Sequence, residues 1–176
     1  MSTRTKIFSV IAIILLAASS RLVEHPFNFT PIAAMALFAG CYLRAKWGVL
    51  IPLAAMAIGD YFIGFYEWQV MASVYFGITA AYLIGWVLSK RVRWYNVAFS
   101  SLVSSIVFFL LTNFSVWAFF SWYPHTWAGL VNCFTLALPF FRNTIAGDLV
   151  YSVVLFGAFE LVMVLAARKK LATERA

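Results

Sequence analysis

The chain has 176 residues, of which 64% are hydrophobic and only 11% charged, with a formal net charge of +7. A soluble domain carries roughly 25% charged and about 45–50% apolar residues, and a chain this short forms one domain whose interior cannot hide so many apolar runs. A water-soluble globule is therefore excluded, and the solvent around most of the chain is lipid.

Six apolar runs predict spanning helices, at about residues 7–20, 30–43, 47–65, 70–88, 94–120 and 143–167, judged against a spanning length of roughly 17–25 residues. The fold class expected is all-α integral membrane, a six-transmembrane-helix bundle in a single domain. The first run is short and follows the basic start Arg4-Thr5-Lys6. A cleaved secretory signal fits that segment too, because small residues close it at Ala17-Ala18-Ser19-Ser20. In the second run Thr30 can cap and Pro31 can take the first helical position. The third, fourth and fifth runs are long enough without special signals. The sixth is predicted to enter at Asn143 and to stop at Arg168-Lys169-Lys170, a basic stop of the cytoplasmic kind. The stretch 121–142, with Gly129 and Pro139, is expected to be an external loop, short interfacial helix or lid.

The basic residues test this map. Alternate sides receive Arg4, Lys6, Arg44, Lys46, Lys90, Arg91, Arg93, Arg168, Lys169, Lys170 and Arg175 against Arg21 and Arg142 alone. Lys and Arg mark the cytoplasmic side, so both termini are expected inside. The positive charge thus serves topology, and no nucleic-acid partner is expected. Cys41 and Cys133 lie in different segments without CxxC spacing, which indicates neither a zinc site nor a disulfide framework.

Polar groups within spans are costly and tend to mark a pathway or a site. Asp60, Asn113 and Asp148 are predicted to share one depth, roughly 7–11 Å below the external ends of their helices by the helical rise. The external segments add His25, Asn28, Arg142 and Asn143 among Phe27, Phe29, Trp122 and Trp127. A few convergent polar groups within aromatic walls is the make-up of a small-molecule pocket. Competing readings stand beside it: Arg21 and Glu24 at a spacing of three can simply pair, the aromatics can be interfacial anchors, and Asp60 and Asp148 can merely tie helices together. His25 and His125 lack ligand-spaced partners, so no metal ligand is assigned. Small-xxx-small pairs at Ala36/Gly40, Ala55/Gly59 and Ala81/Gly85 allow close helix approach, and the hydroxyls of Ser101, Ser104, Ser105, Thr112 and Ser115 can bond neighbouring helices.

The string Arg21-Leu22-Val23-Glu24-His25-Pro26-Phe27-Asn28-Phe29-Thr30-Pro31-Ile32-Ala33-Ala34, with the span ending at Gly59-Asp60 and with Arg142-Asn143, resembles an uncharacterised bacterial family of proposed membrane transport proteins. That family in turn looks like the substrate-binding S components of energy-coupling factor (ECF) transporters. The resemblance implies a six-helix S-component-like fold in the bacterial inner membrane and a cavity near the external face. It also implies a partner, a cytoplasmic ATPase module with a transmembrane coupling subunit. A related cobalamin carrier is thought to use an externally placed cysteine, which Cys41 does not match, so no metal is carried over.

The expectation is thus a non-enzymatic transport subunit that captures a small nutrient, a vitamin or precursor, from outside. His25, Asn28, Asp60, Asn113, Arg142, Asn143 and Asp148 would be its substrate contacts, with no catalytic residue and no cofactor. No GxxxxGK[ST] loop is present for nucleotide hydrolysis by the chain itself. The alternatives are an intramembrane enzyme built on an Asp60–Asp148 acid dyad, and a non-transporting assembly subunit.

Overall fold

The computed structural model describes residues 3–20, 28–43, 45 and 47–173. Among them six α-helices follow one another: α1 (Thr3–Ser19), α2 (Ile32–Leu43), α3 (Leu50–Ile63), α4 (Trp68–Leu88), α5 (Trp94–Phe119) and α6 (Trp127–Thr173), with no strand among the described residues. Three stretches, Trp68–Leu88, Trp94–Phe119 and Trp127–Arg168, are long and apolar enough to cross a membrane. Exposed tryptophans stand near both ends of this trio. Trp68, Trp122 and Trp127 lie at one end, and Trp86 and Trp94 at the other. From Trp68 to Trp86 the helical rise gives roughly 27 Å, close to the ~30 Å thickness of a bilayer's hydrocarbon core, as expected of aromatic belts.

The helix α2 is the centre of the bundle. It packs against all five other helices, and every one of its residues except Tyr42 is buried. At 12 residues it is only about 18 Å long, too short to cross hydrocarbon alone. Its ends are instead enclosed by protein, the condition under which irregular backbone is tolerated at membrane depth.

The approach of α2 to α4 explains two of the small-residue pairs. A Cβ at Gly40 would overlap the Tyr82 carbonyl, and one at Gly85 would overlap the Leu37 carbonyl. The two glycines thus face each other's helix, and backbone meets backbone with no side chain between. Next to this contact Phe38 is fully buried against Phe156 and Phe159 of α6, with edge-on ring geometry at centroid distances of 5.2 and 5.8 Å.

The largest departure from expectation is α6. The stretch 121–142, read from sequence as a loop or lid, is a turn followed by helix from Trp127 onward. Leu130, Val131, Phe134, Leu136 and Leu138 continue the apolar pattern through it, and the single Arg142 does not end a helix. Pro139 stands inside, where it removes one backbone hydrogen bond and is the expected place for a bend. With 47 residues the helix runs roughly 70 Å, more than twice the hydrocarbon thickness. Only part of it can lie within the hydrocarbon along the membrane normal. The turn before it is held by Trp117 Nε1 donating to the Pro124 carbonyl at 3.0 Å and by His125 stacked edge-on against Trp117.

Candidate functional site

The α5 and α6 helices form a long antiparallel pair whose character changes along its length. Near the middle of the chain's thickness it is closed by hydroxyls. Ser152 Oγ donates to Ser101 Oγ at 3.2 Å, and Ser105 Oγ donates to Asp148 Oδ2 at 2.6 Å. Asp148 also takes a hydrogen bond from the backbone N–H of Ala34. Ala34 lies in the first turn of α2, whose early N–H groups have no partners within the helix. A carboxylate from α6 therefore caps α2 from outside, where its negative charge also matches the helix dipole. Gly147, one residue earlier, makes this possible: a Cβ there would come within 3.2 Å of Phe29 Cα and 3.3 Å of Thr30 N. The sequence reading gave the α2 cap to Thr30 and the first helical position to Pro31, but α2 starts at Ile32, with the Pro31 carbonyl accepting from Met35 N–H at 2.8 Å. The side chain that caps it comes from a helix more than a hundred residues away in the chain.

Farther toward the α5–α6 turn the helices part and enclose a cavity of about 360 Å³. Its walls come from α2 (Ile32, Ala33), α3 (Met56), α4 (Val70, Val74), α5 (Phe108, Phe109, Thr112, Asn113, Val116) and α6 (Ala137, Phe140, Phe141, Thr144, Asp148). Asn28 and Thr30 before α2 and Tyr66 before α4 complete it. These last three belong to the connections before α2 and α4, so the cavity lies toward that end of the bundle. Lys90, Arg91 and Arg93 lie at the opposite end, between α4 and α5. Phe109 and Phe141 stack across the α5–α6 wall at 4.3 Å between centroids.

Of the residues proposed from sequence, Asn28, Asn113 and Asp148 line this one cavity. They do not share one depth. Asn113 sits beside Cys133, whose thiol points to the Asn113 carbonyl at 3.5 Å, whereas Asp148 bonds Ser105, eight residues earlier on α5. Along a helix that is roughly 12 Å. The equal-depth reckoning fails because it counted α6 from Asn143, whereas the helix starts at Trp127.

Asp60, Arg142 and Asn143 are not among the lining residues. Asp60 is 1% exposed and accepts a 3.0 Å hydrogen bond from the Tyr75 hydroxyl of α4. It lies one turn along α3 from Met56, which does line the cavity. Arg142 is exposed on α6 and Asn143 is half-buried. His25, with Arg21 and Glu24, lies outside the described residues. Asp148 meets Ser105 and Ala34 and no second carboxylate among the described residues, so the two aspartates bond separate hydroxyls rather than each other.

Sequence reasoning overlooked Thr144, Tyr66 and the four phenylalanines of the walls. Their signal was helical spacing. Ala137, Phe141, Thr144 and Asp148 fall on one stripe of α6, and Ser105, Phe109, Thr112 and Val116 on one stripe of α5. Polar and aromatic residues on facing stripes of adjacent helices predict a shared chamber.

Fold and site together define a protein that is all-helical over the described residues, with three helices long and apolar enough to cross a membrane and a chamber of mixed aromatic and polar lining at one end. The chain belongs to a family of unknown function, DUF6580, whose model matches residues 1–171. No curated protein and no solved structure matches it.

Proposed function

We propose that this protein is the substrate-binding subunit of a membrane transport system, similar in role to the S components of ECF transporters. It takes a small nutrient, a vitamin or precursor, from the non-cytoplasmic side of the bacterial inner membrane. The observation that carries the reading is the cavity. Its volume of about 360 Å³ falls within the range of roughly 300–1,000 Å³ of small-molecule sites, and its lining of apolar and aromatic walls with a few polar groups is what such sites have.

The asymmetry of charge supports the direction. The α4–α5 connection bearing Lys90, Arg91 and Arg93 lies away from the cavity, and basic connections stay in the cytoplasm. On this reading all six helices belong to the membrane domain, the short ones enclosed by the long ones, and both termini are cytoplasmic. The chamber then faces outward. The sequence has no phosphate-binding GxxxxGK[ST] loop, so energy comes from an ion gradient or, as the ECF resemblance implies, from a partner, a cytoplasmic ATPase module with a transmembrane coupling subunit. The protein is not itself an enzyme.

A scaffold reading draws on the capping role of Asp148, which would persist with an empty cavity. The two are separated by mass spectrometry of small molecules retained by gently purified protein. A transport subunit retains a solute that Ala137→Trp, which fills the chamber, removes. If both proteins carry no solute and deletion of the gene alters no vitamin uptake, the transport reading is wrong.

A further inference from the structure

The cavity's polar atoms are not a random mixture of donors and acceptors. Thr112 Oγ1 donates its hydrogen to the Phe108 carbonyl at 2.9 Å, and Thr144 Oγ1 donates to the Phe140 carbonyl at 3.1 Å. Asn113 Nδ2 donates to the Phe109 carbonyl at 2.8 Å. Each side chain thus gives a hydrogen to its own helix one turn back and keeps an oxygen with free lone pairs, Asn113 also keeping its second amide N–H as a donor. Asp148 is an acceptor throughout: Ser105 occupies one side of its Oδ2 and Ala34 N–H supplies a second bond, while the carboxylate has about four lone-pair sites. The helix-borne polar surface of the chamber is therefore dominated by acceptors.

Formal charge points the same way. Asp148 is the one formally charged side chain among the described lining residues, and no described Lys, Arg or His stands with it. The N-terminus of α2, which would otherwise attract an anion, turns its Ala34 N–H to that same carboxylate. An anion entering the chamber would meet a like charge with no basic partner among the described lining residues. Aromatic rings line the rest: Phe109 and Phe141 stack on each other at 4.3 Å, and Phe108 and Phe140 stand beside them, a setting in which ring quadrupoles attract a cation.

We infer that the chamber takes a small organic cation, an ammonium or comparably donor-rich nitrogen group carried on an apolar or aromatic body. The nitrogen sits toward Asp148 and Thr144 and the apolar body lies against the phenylalanines. This rests on the reading of the chamber as a binding site and adds the class of ligand. Asn28, Thr30 and Tyr66, nearer the connections, have groups of both kinds and meet whatever the ligand's other end offers.

The test uses three probes that share one ring and differ in charge: benzylammonium, benzyl alcohol and benzoate. Each is titrated calorimetrically into the full-length protein in detergent micelles, with Ala137→Trp protein in the same micelles reporting partition into detergent. Benzylammonium is expected to bind at least tenfold more tightly than benzyl alcohol, with no chamber binding of benzoate. Asp148→Asn removes the tenfold preference and leaves benzyl alcohol binding in place. Thr144→Val, which leaves the α2 cap untouched, lowers benzylammonium affinity about threefold and carries the test if Asp148→Asn fails to fold. Benzoate binding as tightly as benzylammonium, and blocked by Ala137→Trp, would overturn the cation assignment while leaving a binding chamber. No difference between the parent protein and Ala137→Trp for any probe would remove the chamber as a site, and both readings with it.

Discussion

The two ends of α2 use opposite packing strategies. Toward its C-terminal end Gly40 lies against the Tyr82 carbonyl and Gly85 against the Leu37 carbonyl, so the helices touch with no room for even one added carbon. At its N-terminal end Ile32 and Ala33 border a cavity of about 360 Å³, and Asp148 reaches across to cap the helix. Lipid gives no hydrophobic drive for helices to associate, so the tight end must supply van der Waals contact and the open end must have its polar backbone satisfied by named partners. One short helix is thereby anchored firmly enough for its other end to stand beside empty space.

That contrast can be broken at either end, and the effects should differ in size and kind. The largest loss is expected from Gly40→Leu or Gly85→Leu. The added side chain meets backbone, which cannot move aside, so the cost should reach about 3 kcal/mol, the upper part of the overpacking range. Thermal unfolding in detergent checks this, and a midpoint equal to the parent's would contradict the described α2–α4 contact. Next comes Asp148→Leu, which strands the Ala34 N–H and leaves Ser105 only the Ser101 carbonyl, at 3.0 Å, as acceptor. A loss of about 1–3 kcal/mol is expected for buried polar groups left unpaired, with Asp148→Asn losing less because its amide oxygen still accepts. Tyr75→Phe removes one donor to Asp60 and should cost about 0.6 kcal/mol, at most about 1.7, as interhelical hydrogen bonds in membranes do. Ala137→Trp should change stability least, since it enters existing space, yet it should abolish retention of any chamber ligand. Stability and binding would then separate between the two ends of α2.

Much of the frame could be read before any coordinates. The fourth and fifth runs, placed at 70–88 and 94–120, coincide closely with Trp68–Leu88 and Trp94–Phe119, because uninterrupted apolar runs with aromatic ends leave little choice of boundary. The Gly40 and Gly85 spacing also pointed to close packing, although it could not say that these two glycines face one another across α2 and α4. What misled was local chemistry read without tertiary context. Gly129, Pro139 and Arg142 looked like loop punctuation, yet α6 runs through all three, because the apolar pattern on both sides continues the helical period. The shift in its start then displaced the depth assigned to Asp148.

The site was legible in kind more than in membership. Asn28, Asn113 and Asp148 were found by the cost of polar groups in an apolar setting, which holds regardless of helix boundaries. Asp60 satisfied the same criterion and yet is buried between α3 and α4 outside the lining, because sequence gives a residue's depth but not which neighbour it faces. Thr144 was passed over since a threonine in a helix is ordinarily unremarkable. Its importance comes from standing one turn before Asp148 on a wall that Phe108 and Phe109 face from α5.

On the transport reading, Thr144 and Asp148 border a chamber that solvent reaches from the side away from the cytoplasm. Thiol labelling tests it most directly, with Thr144→Cys in a chain lacking Cys41 and Cys133 and a membrane-impermeant maleimide applied to spheroplasts, which expose the outer face of the inner membrane. Labelling from outside is expected, and Ala137→Trp blocks it, while Ser104→Cys, at a buried position on α5, stays unlabelled. Labelling of Thr144→Cys only from the cytoplasmic face, or labelling indifferent to Ala137→Trp, would contradict it.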